Sequence, residues 1–397
     1  MFKNILIPTD NSEYSDFGVD AAFSIAEGYS SEVTGCHVYA ARLHETRFMD
    51  METGLPSQYQ SEAVLKRQRK IHESLIAKGL NVIADSYLDR TDIKAKDKGI
   101  TFKRKSREGK NYIELIKEAE EGAYDLIVIG GFGKGVVEHS LLGGVCERVV
   151  RGINKDILVV KNNSFNKKII VCIDGSPYSY AALITGIKLK KVFGGDIEAI
   201  AVFDPYFHRV AFRNIAGVLS EEASKIFKFK EQEKLHDEII DKGLAKLYES
   251  HLDTACRIAK ARGVEIKTTL LAGKAFNEVI KAGLKEPSSF IVAGRFGLHY
   301  APESSIGNTV ENILKLANAN IYISSGSINL NTEINKEGTK GIQWGEGALK
   351  RMERVPEFAR GMAKKAIEDF ASEKGYSVVT EEIVDEVKKR FGMGEDN

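Results

Sequence analysis

The chain is written twice. The opening segment FKNILIPTDNS returns as NKKIIVCIDGS, and IVIGGFG at 127–133 returns as IVAGRFG at 291–297. Asp10 matches Asp174, Ser12 matches Ser176, Gly109 matches Gly273, Gly130 matches Gly294, Gly133 matches Gly297 and Gly143 matches Gly307. Every pair is 164 positions apart, as the step from Asp10 to Asp174 gives. One offset held across the whole segment points to duplication, and its length is too great for a solenoid. The 397 residues therefore divide into copy one, 1–162, copy two, 164–327, and an unrepeated tail whose folded part is expected at 342–392. The polar joint KNNSFN (161–166) is short, which suits domains packed together rather than loosely tethered. A Gly/Asn/Thr/Lys-rich linker, 325–341, leads into the tail.

Within a copy, apolar runs alternate with helical spacing. In copy one, Ile5–Thr9, Glu32–Ala40, Ile100–Lys105, Tyr124–Gly130 and Asp156–Val160 predict five strands. Helices are expected over Ser12–Glu27, Asn111–Glu121 and Ser140–Arg151, with Ser12 as N-cap and Ser15 in the place of a capping-box Glu. The long charged stretch Ser61–Lys98 also reads as helix. Strands alternating with helices imply a parallel sheet covered on both faces. The fold class expected is α/β: two tandem five-stranded parallel-sheet sandwiches, followed by a small all-α domain.

Composition narrows function by exclusion. The chain has 57 basic against 56 acidic residues, a net charge of +1, which disfavours nucleic acid as a partner. No apolar stretch is long enough for a membrane span, and the N-terminus lacks the apolar core and cleavage site of a secretory signal. Cys36, Cys146, Cys172 and Cys256 form no CxxC pair. That is a reduced, cytoplasmic pattern with no case for zinc or a disulfide framework.

In open parallel sheets, ligands bind beyond the carboxyl ends of the strands. Asp10 follows the first strand, and Gly130 and Gly133 follow the fourth. Gly143 comes nine residues after Gly133, where a helix starts, and copy two repeats the spacing at Gly294, Gly297 and Gly307. Glycines there would let the backbone approach an anion and take positive φ. The helix start would turn free N–H groups toward that anion, and Asp10 would accept from a ribose hydroxyl or an adenine amino group. Tight strand-to-helix turns alone also use glycine, but the full spacing present twice favours a phosphate cradle.

These residues resemble the universal stress protein family, whose ATP-binding branch carries G-x2-G-x9-G-[S/T]. The likeness spans about 325 of the 397 residues. It implies an adenine nucleotide alpha hydrolase-like sandwich that pairs through its last strand, and a bound ATP or AMP with or without Mg2+. It carries the family's contacts onto Pro8, Thr9, Asp10, Val38, Ile129, Gly130, Phe132, Gly133, Gly143, Gly144, Val145 and Cys146. In copy two it carries them onto Asp174, Val202, Gly294, Gly297, Gly307, Asn308 and Thr309. Gly144 and Asn308 stand where the family has Ser/Thr. One lost hydroxyl hydrogen bond costs about 1 kcal/mol, so binding is weakened rather than abolished. Copy two also has Cys172-Ile173 in place of Pro8-Thr9, which favours copy one as the better site.

No G-x-x-x-x-G-K-[S/T] loop, Ser-Gly-Gly-x-Asp-Ser loop or G-x-S-x-G elbow occurs. No catalytic residue is assigned, and the chain is expected not to be an enzyme, slow ATP hydrolysis apart. His139 and His299 fall in the nine-residue loops and read as solvent-exposed rather than as phosphate contacts. No histidine shows metal-ligand spacing. The region Tyr206–Tyr248, with Phe207, Phe212, Leu219, Ile226 and Phe229, reads as the counterpart of Ser61–Lys98 rather than a lid.

The tail, Trp344–Arg390, reads as two or three short helices, with Leu349, Met352, Phe358, Met362, Ile367 and Phe370 at helical intervals. Pro356 breaks the pattern, Gly375 suits a C-cap and Thr380 an N-cap. Residues 331–397 hold 12 basic and 14 acidic side chains, which argues against DNA binding. The run holding Trp344, Ala348, Leu349, Val355-Pro356, Arg360, Ala366, Glu368, Ala371 and Thr380 resembles the small C-terminal domain of the light-independent protochlorophyllide reductase B subunit. The cluster cysteines and catalytic core of that enzyme are missing, so the resemblance implies a docking module and not a reductase. The function expected is a cytoplasmic stress-response regulator that binds adenine nucleotide and signals through a protein partner held by the tail. The alternatives are a nucleotide-free intramolecular pseudo-dimer that recruits a redox or cofactor enzyme, and a weak ATPase. A further homodimer is compatible with each.

Overall fold

The computed structural model describes residues 2–205, 241–285, 288–298, 305–329, 343–355, 360–374, 376 and 378–390. The first half is β1 (Asn4–Pro8), α1 (Glu13–Tyr29), β2 (Glu32–Tyr39), α2 (Ala41–Met51), α3 (Glu62–Asp97), β3 (Phe102–Glu108), α4 (Asn111–Glu121), β4 (Leu126–Gly130), α5 (Gly144–Gly152) and β5 (Asp156–Val160). The second half is β6 (Lys168–Cys172), α6 (Pro177–Phe193), β7 (Ile197–Phe203), α7 (Asp241–Lys260), β8 (Lys267–Ala272), α8 (Ala275–Lys285), β9 (Ser288–Gly294), α9 (Asn308–Leu316) and β10 (Asn320–Ser324). Most of the expected region Tyr206–Tyr248 lies outside the described residues.

All ten strands form one sheet in the order β3-β2-β1-β4-β5-β10-β9-β6-β7-β8. Each half is parallel within itself, and β5 and β10 meet antiparallel, Val159 against Ile321. The central strands read apolar throughout because both faces are covered: Leu126, Ile127, Val128, Leu158 and Val159 are fully buried. Pairing through the last strand is the arrangement that the family resemblance implies, here made within one chain.

The seam is closed by two buried cations. Arg295, in the loop after β9, donates from Nη1 to Val150 O (2.9 Å) and from Nη2 to Lys155 O (3.2 Å) at the C-terminal end of α5. Lys161, just after β5, donates from Nζ to Leu314 O (2.6 Å) and Ala317 O (2.7 Å) at the end of α9. Val150 and Leu314 are one repeat apart, so each half caps the equivalent helix of the other with a different residue. Positive charge at a helix C-terminus also opposes the negative end of its dipole.

Local expectations held at the first helix. Ser12 Oγ accepts the Ser15 N–H at 3.2 Å as N-cap. Ser15 does not complete a capping box, since its hydroxyl instead donates to Thr9 Oγ1 at 3.2 Å. The third strand is displaced from Ile100–Lys105 to Phe102–Glu108. The helix expected from Ser140 begins only at Gly144, because the Gly143 N–H is taken by Gly131 O at 2.8 Å and Gly143 keeps an extended backbone. The stretch after β2 holds a helix that the sequence reading did not identify. α2 folds back on the N-terminal part of α3, held by a bidentate Arg69–Glu52 pair and a Phe48–His72 stack 4.3 Å between centroids.

The tail forms α10 (Glu346–Glu353), α11 (Arg360–Glu373) and α12 (Glu381–Arg390). A two-residue parallel ladder joins β11 (Gln343–Trp344) to β12 (Val378–Val379), an addition to the helical domain expected. Its core gathers Ala348, Met352, Ile367, Phe370, Ala371, Val379 and Ile383. Pro356, Phe358 and Gly375 lie outside the described residues. α11 rests on α7, where Lys365 Nζ meets Asp253 Oδ2 at 2.6 Å and Gly361 lies over the Thr254 hydroxyl.

Candidate functional site

At the carboxyl ends of β1 and β4 the chain encloses a cavity of about 490 Å³, within the roughly 300–1,000 Å³ usual for small-molecule sites. Its walls hold Pro8, Thr9, Asp10, Val38, Ile129, Gly130, Phe132, Gly133, Gly143, Gly144, Val145 and Cys146. All the site residues expected in copy one thus come together around one space.

Asp10 is fixed by its own turn: Oδ1 accepts the Ser12 N–H at 2.9 Å, and Oδ2 accepts the Lys134 N–H at 3.3 Å. Asn11 takes the left-handed region, φ 56°. Glu147 N–H donates to Gly143 O, the first bond of α5. The amides of Gly144, Val145 and Cys146 precede it, the donors that a helix start leaves for an anion.

The glycines do not work as expected. Positive φ is found at none of Gly130, Gly133, Gly143, Gly144, Gly294, Gly297 and Gly307. They are required by close approach instead. A methyl group on Gly130 would lie 2.8 Å from the Tyr14 backbone carbon, on Gly133 2.8 Å from Asp10 Oδ2, and on Gly143 2.9 Å from Gly131 O. Gly144 and Gly307 are the exceptions: open space lies where the Gly144 side chain would be, and a methyl on Gly307 would meet Arg295 O at an ordinary 3.4 Å.

Several wall residues escaped the sequence reading. Asn111 and Leu115 come from α4, Val136 and Leu142 from the nine-residue loop, and Arg148 from α5. Arg148 lies one turn beyond Gly144, a spacing that would have revealed it. Its guanidinium sits 4.7 Å from the centre of the Tyr112 ring, and it forms no ion pair among the described residues. His37 Nδ1 lies 2.6 Å from Thr9 O, with its ring edge-on to Tyr87. His139 is exposed, at φ 69°, and is not part of the wall. Burial pushes the Cys36 and Cys146 thiols up to about 12, so neither offers a thiolate nucleophile near neutrality.

The second mouth repeats the frame with other fittings. Asp174 Oδ1 accepts the Ser176 N–H (3.0 Å) and hydroxyl (2.6 Å), and Oδ2 accepts the Leu298 N–H (3.1 Å). Gly294 packs on Tyr178 as Gly130 does on Tyr14, and a methyl on Gly297 would lie 2.8 Å from Asp174 Oδ2. Gly307 caps α9, which starts at Asn308 and Thr309, and Val202, the last residue but one of β7, pairs with Leu271. Gly175 at φ 83° makes room for the buried His251 ring; Asn11 and Tyr87 stand at the corresponding places of the first half. Burial lowers the His251 pKa, and the Asp174 carboxylate opposes that shift. His299 lies outside the described residues.

The fold and the repeated mouths define a tandem five-stranded α/β sandwich with a small appended domain. A sequence model of the Universal stress protein family matches residues 1–161 and again 166–324. The chain belongs to that family. A second model, described as Proto-chlorophyllide reductase 57 kD subunit, matches residues 344–388. Over 161 residues the chain is 30% identical to Universal stress protein MJ0531 of Methanocaldococcus jannaschii, covering 41% of this chain and 83% of that protein. It is 28% identical over 165 residues to Universal stress protein MJ0577 of the same organism, covering 41% of this chain and 98% of that one. The crystal structure of a universal stress protein from Archaeoglobus fulgidus covers 82% of this chain and 100% of its own, at 16% identity and a TM-score of 0.52, a likeness of fold. No described helix is long and apolar enough to cross a membrane.

Proposed function

We propose that the first mouth binds an adenine nucleotide, ATP or AMP, and that the protein is a cytoplasmic regulator rather than an enzyme, passing its loaded state to a protein partner through the tail. The observation that carries this is the convergence of four separate stretches of chain, holding the twelve expected residues, on one cavity of about 490 Å³. Asp10 supplies an acceptor for the nucleoside. The α5 amides supply donors for phosphate, and Arg148 adds a cation on the same helix. Among the described residues no cluster of three or more metal-ligating side chains occurs, so a Mg2+ ion would enter on the phosphates it neutralises.

Equilibrium dialysis of the full chain with ATP and with AMP tests the reading. Saturable binding is expected. Gly133→Val, which drives a side chain into the Asp10 carboxylate, should remove binding at the first mouth while leaving the thermal unfolding profile in place. The absence of Ser/Thr at Gly144 and Asn308 favours a second reading, the nucleotide-free scaffold. Well-folded protein that binds nothing at millimolar nucleotide would establish the scaffold and end the first reading.

A further inference from the structure

α3 has two apolar faces and only one is used. Leu65, His72 and Arg69 turn to α2, and Ala84, Leu88 and Ala95 are buried against the body of the first half. On another side Ile71, Leu75, Val82 and Ile93 stand in water, 50%, 67%, 68% and 60% exposed. At about 100° per residue these four fall within roughly 40° of arc, along a line about 33 Å long. Aliphatic side chains so exposed in a row are the mark of an interaction surface.

Three of the four are symmetric about Val82, and the fourth, Leu75, has Asp89, held by Arg104, at the matching distance on the other side. Ile71 and Ile93 are each eleven residues from Val82. Its charge reverses along its length. The N-terminal part is flanked by exposed Arg67 and Lys78. The C-terminal part is flanked by Asp85 and Asp89, two carboxylates sharing the single guanidinium of Arg104. Such a surface complements itself when turned end for end, the requirement of a two-fold interface. Meanwhile β5 and β10, the strands through which single sandwiches could pair, are spent inside the chain.

We propose that this face of α3 binds a second copy of the same chain, the two helices crossing antiparallel about a dyad at Val82. Ile71 then meets Ile93 of the second copy, Val82 meets its own counterpart, and Lys78 comes beside Asp85. Flanking charges of opposite sign fix the direction, and the apolar line supplies the burial.

Sedimentation of the full chain at micromolar concentration is expected to give twice the 43.9 kDa chain mass. Leu75→Asp should give monomer with an unchanged thermal unfolding midpoint, since the side chain is exposed. Lys78→Glu should weaken association several-fold, and adding Asp85→Lys should restore it. Val82→Cys should cross-link to itself under oxidised glutathione, because only a residue on the dyad meets its own copy; Glu73→Cys, on the far side, should not. A monomeric native chain, or a dimer indifferent to Leu75→Asp, overturns the proposal. So does a monomer that binds phosphatidylglycerol vesicles through Leu75, which would assign the stripe to a lipid surface.

Discussion

The glycine spacing identified the right residues for a partly wrong reason. Gly130, Gly133 and Gly143 are not bent into conformations that other residues avoid; they are crowded, each facing backbone or a carboxylate at under 3 Å if a methyl were added. The sequence shows a missing side chain and cannot show which neighbour requires it to be missing. Gly144 is different, because nothing crowds it. Gly144→Ser should therefore be tolerated and place a hydroxyl at the start of α5. If nucleotide binds there, one added hydrogen bond of about 1 kcal/mol tightens it about fivefold. Isothermal titration of the variant against the native chain checks this, and unchanged affinity would mean that the phosphates lie elsewhere.

At the scale of elements, the seam rests on side chains invisible to any repeat. Arg295 replaces Gly131 of the first half, and Lys161 corresponds to Ser325, so the offset that aligns everything else misaligns the two cations. Removing the guanidinium in Arg295→Met takes the Arg295 donor from Val150 O and Ser305 O, while Lys155 O keeps the Ser325 hydroxyl, and should cost on the order of 3 kcal/mol in urea unfolding. Burial lowers the Lys161 pKa to about 8. The unfolded chain, with an ordinary lysine near 10.4, then binds more protons than the folded one between those values. The Lys161 contribution to stability should therefore rise as pH increases from about 8 to 10, and a neutral amine still has the two N–H groups its two carbonyls require. Urea midpoints measured across that range should climb for the native chain relative to Lys161→Met.

The strands and most helices of the first half were legible because burial on both faces leaves unbroken apolar runs. α2 was not, because Arg42, His44, Glu45 and Arg47 give it a polar surface, and its partners, α3 and Glu108 of β3, lie outside its own sequence. The β11–β12 ladder was hidden for a similar reason: two residues carry no period. In the first cavity, the residues matching the family's pattern were legible. Those from α4, which reach the space only because the sheet brings that helix alongside, were not.

For the whole molecule, the tail is a light attachment. Among the described residues α11 meets α7 through an exposed ion pair, Lys365–Asp253, and the approach of Gly361 to Thr254, and an exposed pair contributes about 0–1 kcal/mol. A chain ending at residue 327 should keep its thermal midpoint within a few degrees and its nucleotide affinity unchanged; a large fall in either would make the tail part of the body. The antiparallel meeting of β5 and β10 has a last consequence. It reverses the direction of every strand across the seam, so the two openings look out from opposite rims of one continuous slab. Small molecules held in them cannot touch, and no short bivalent compound could bridge them. Whatever one opening learns of the other travels through the strands between them or through Arg295, which ties the second loop to the far end of α5.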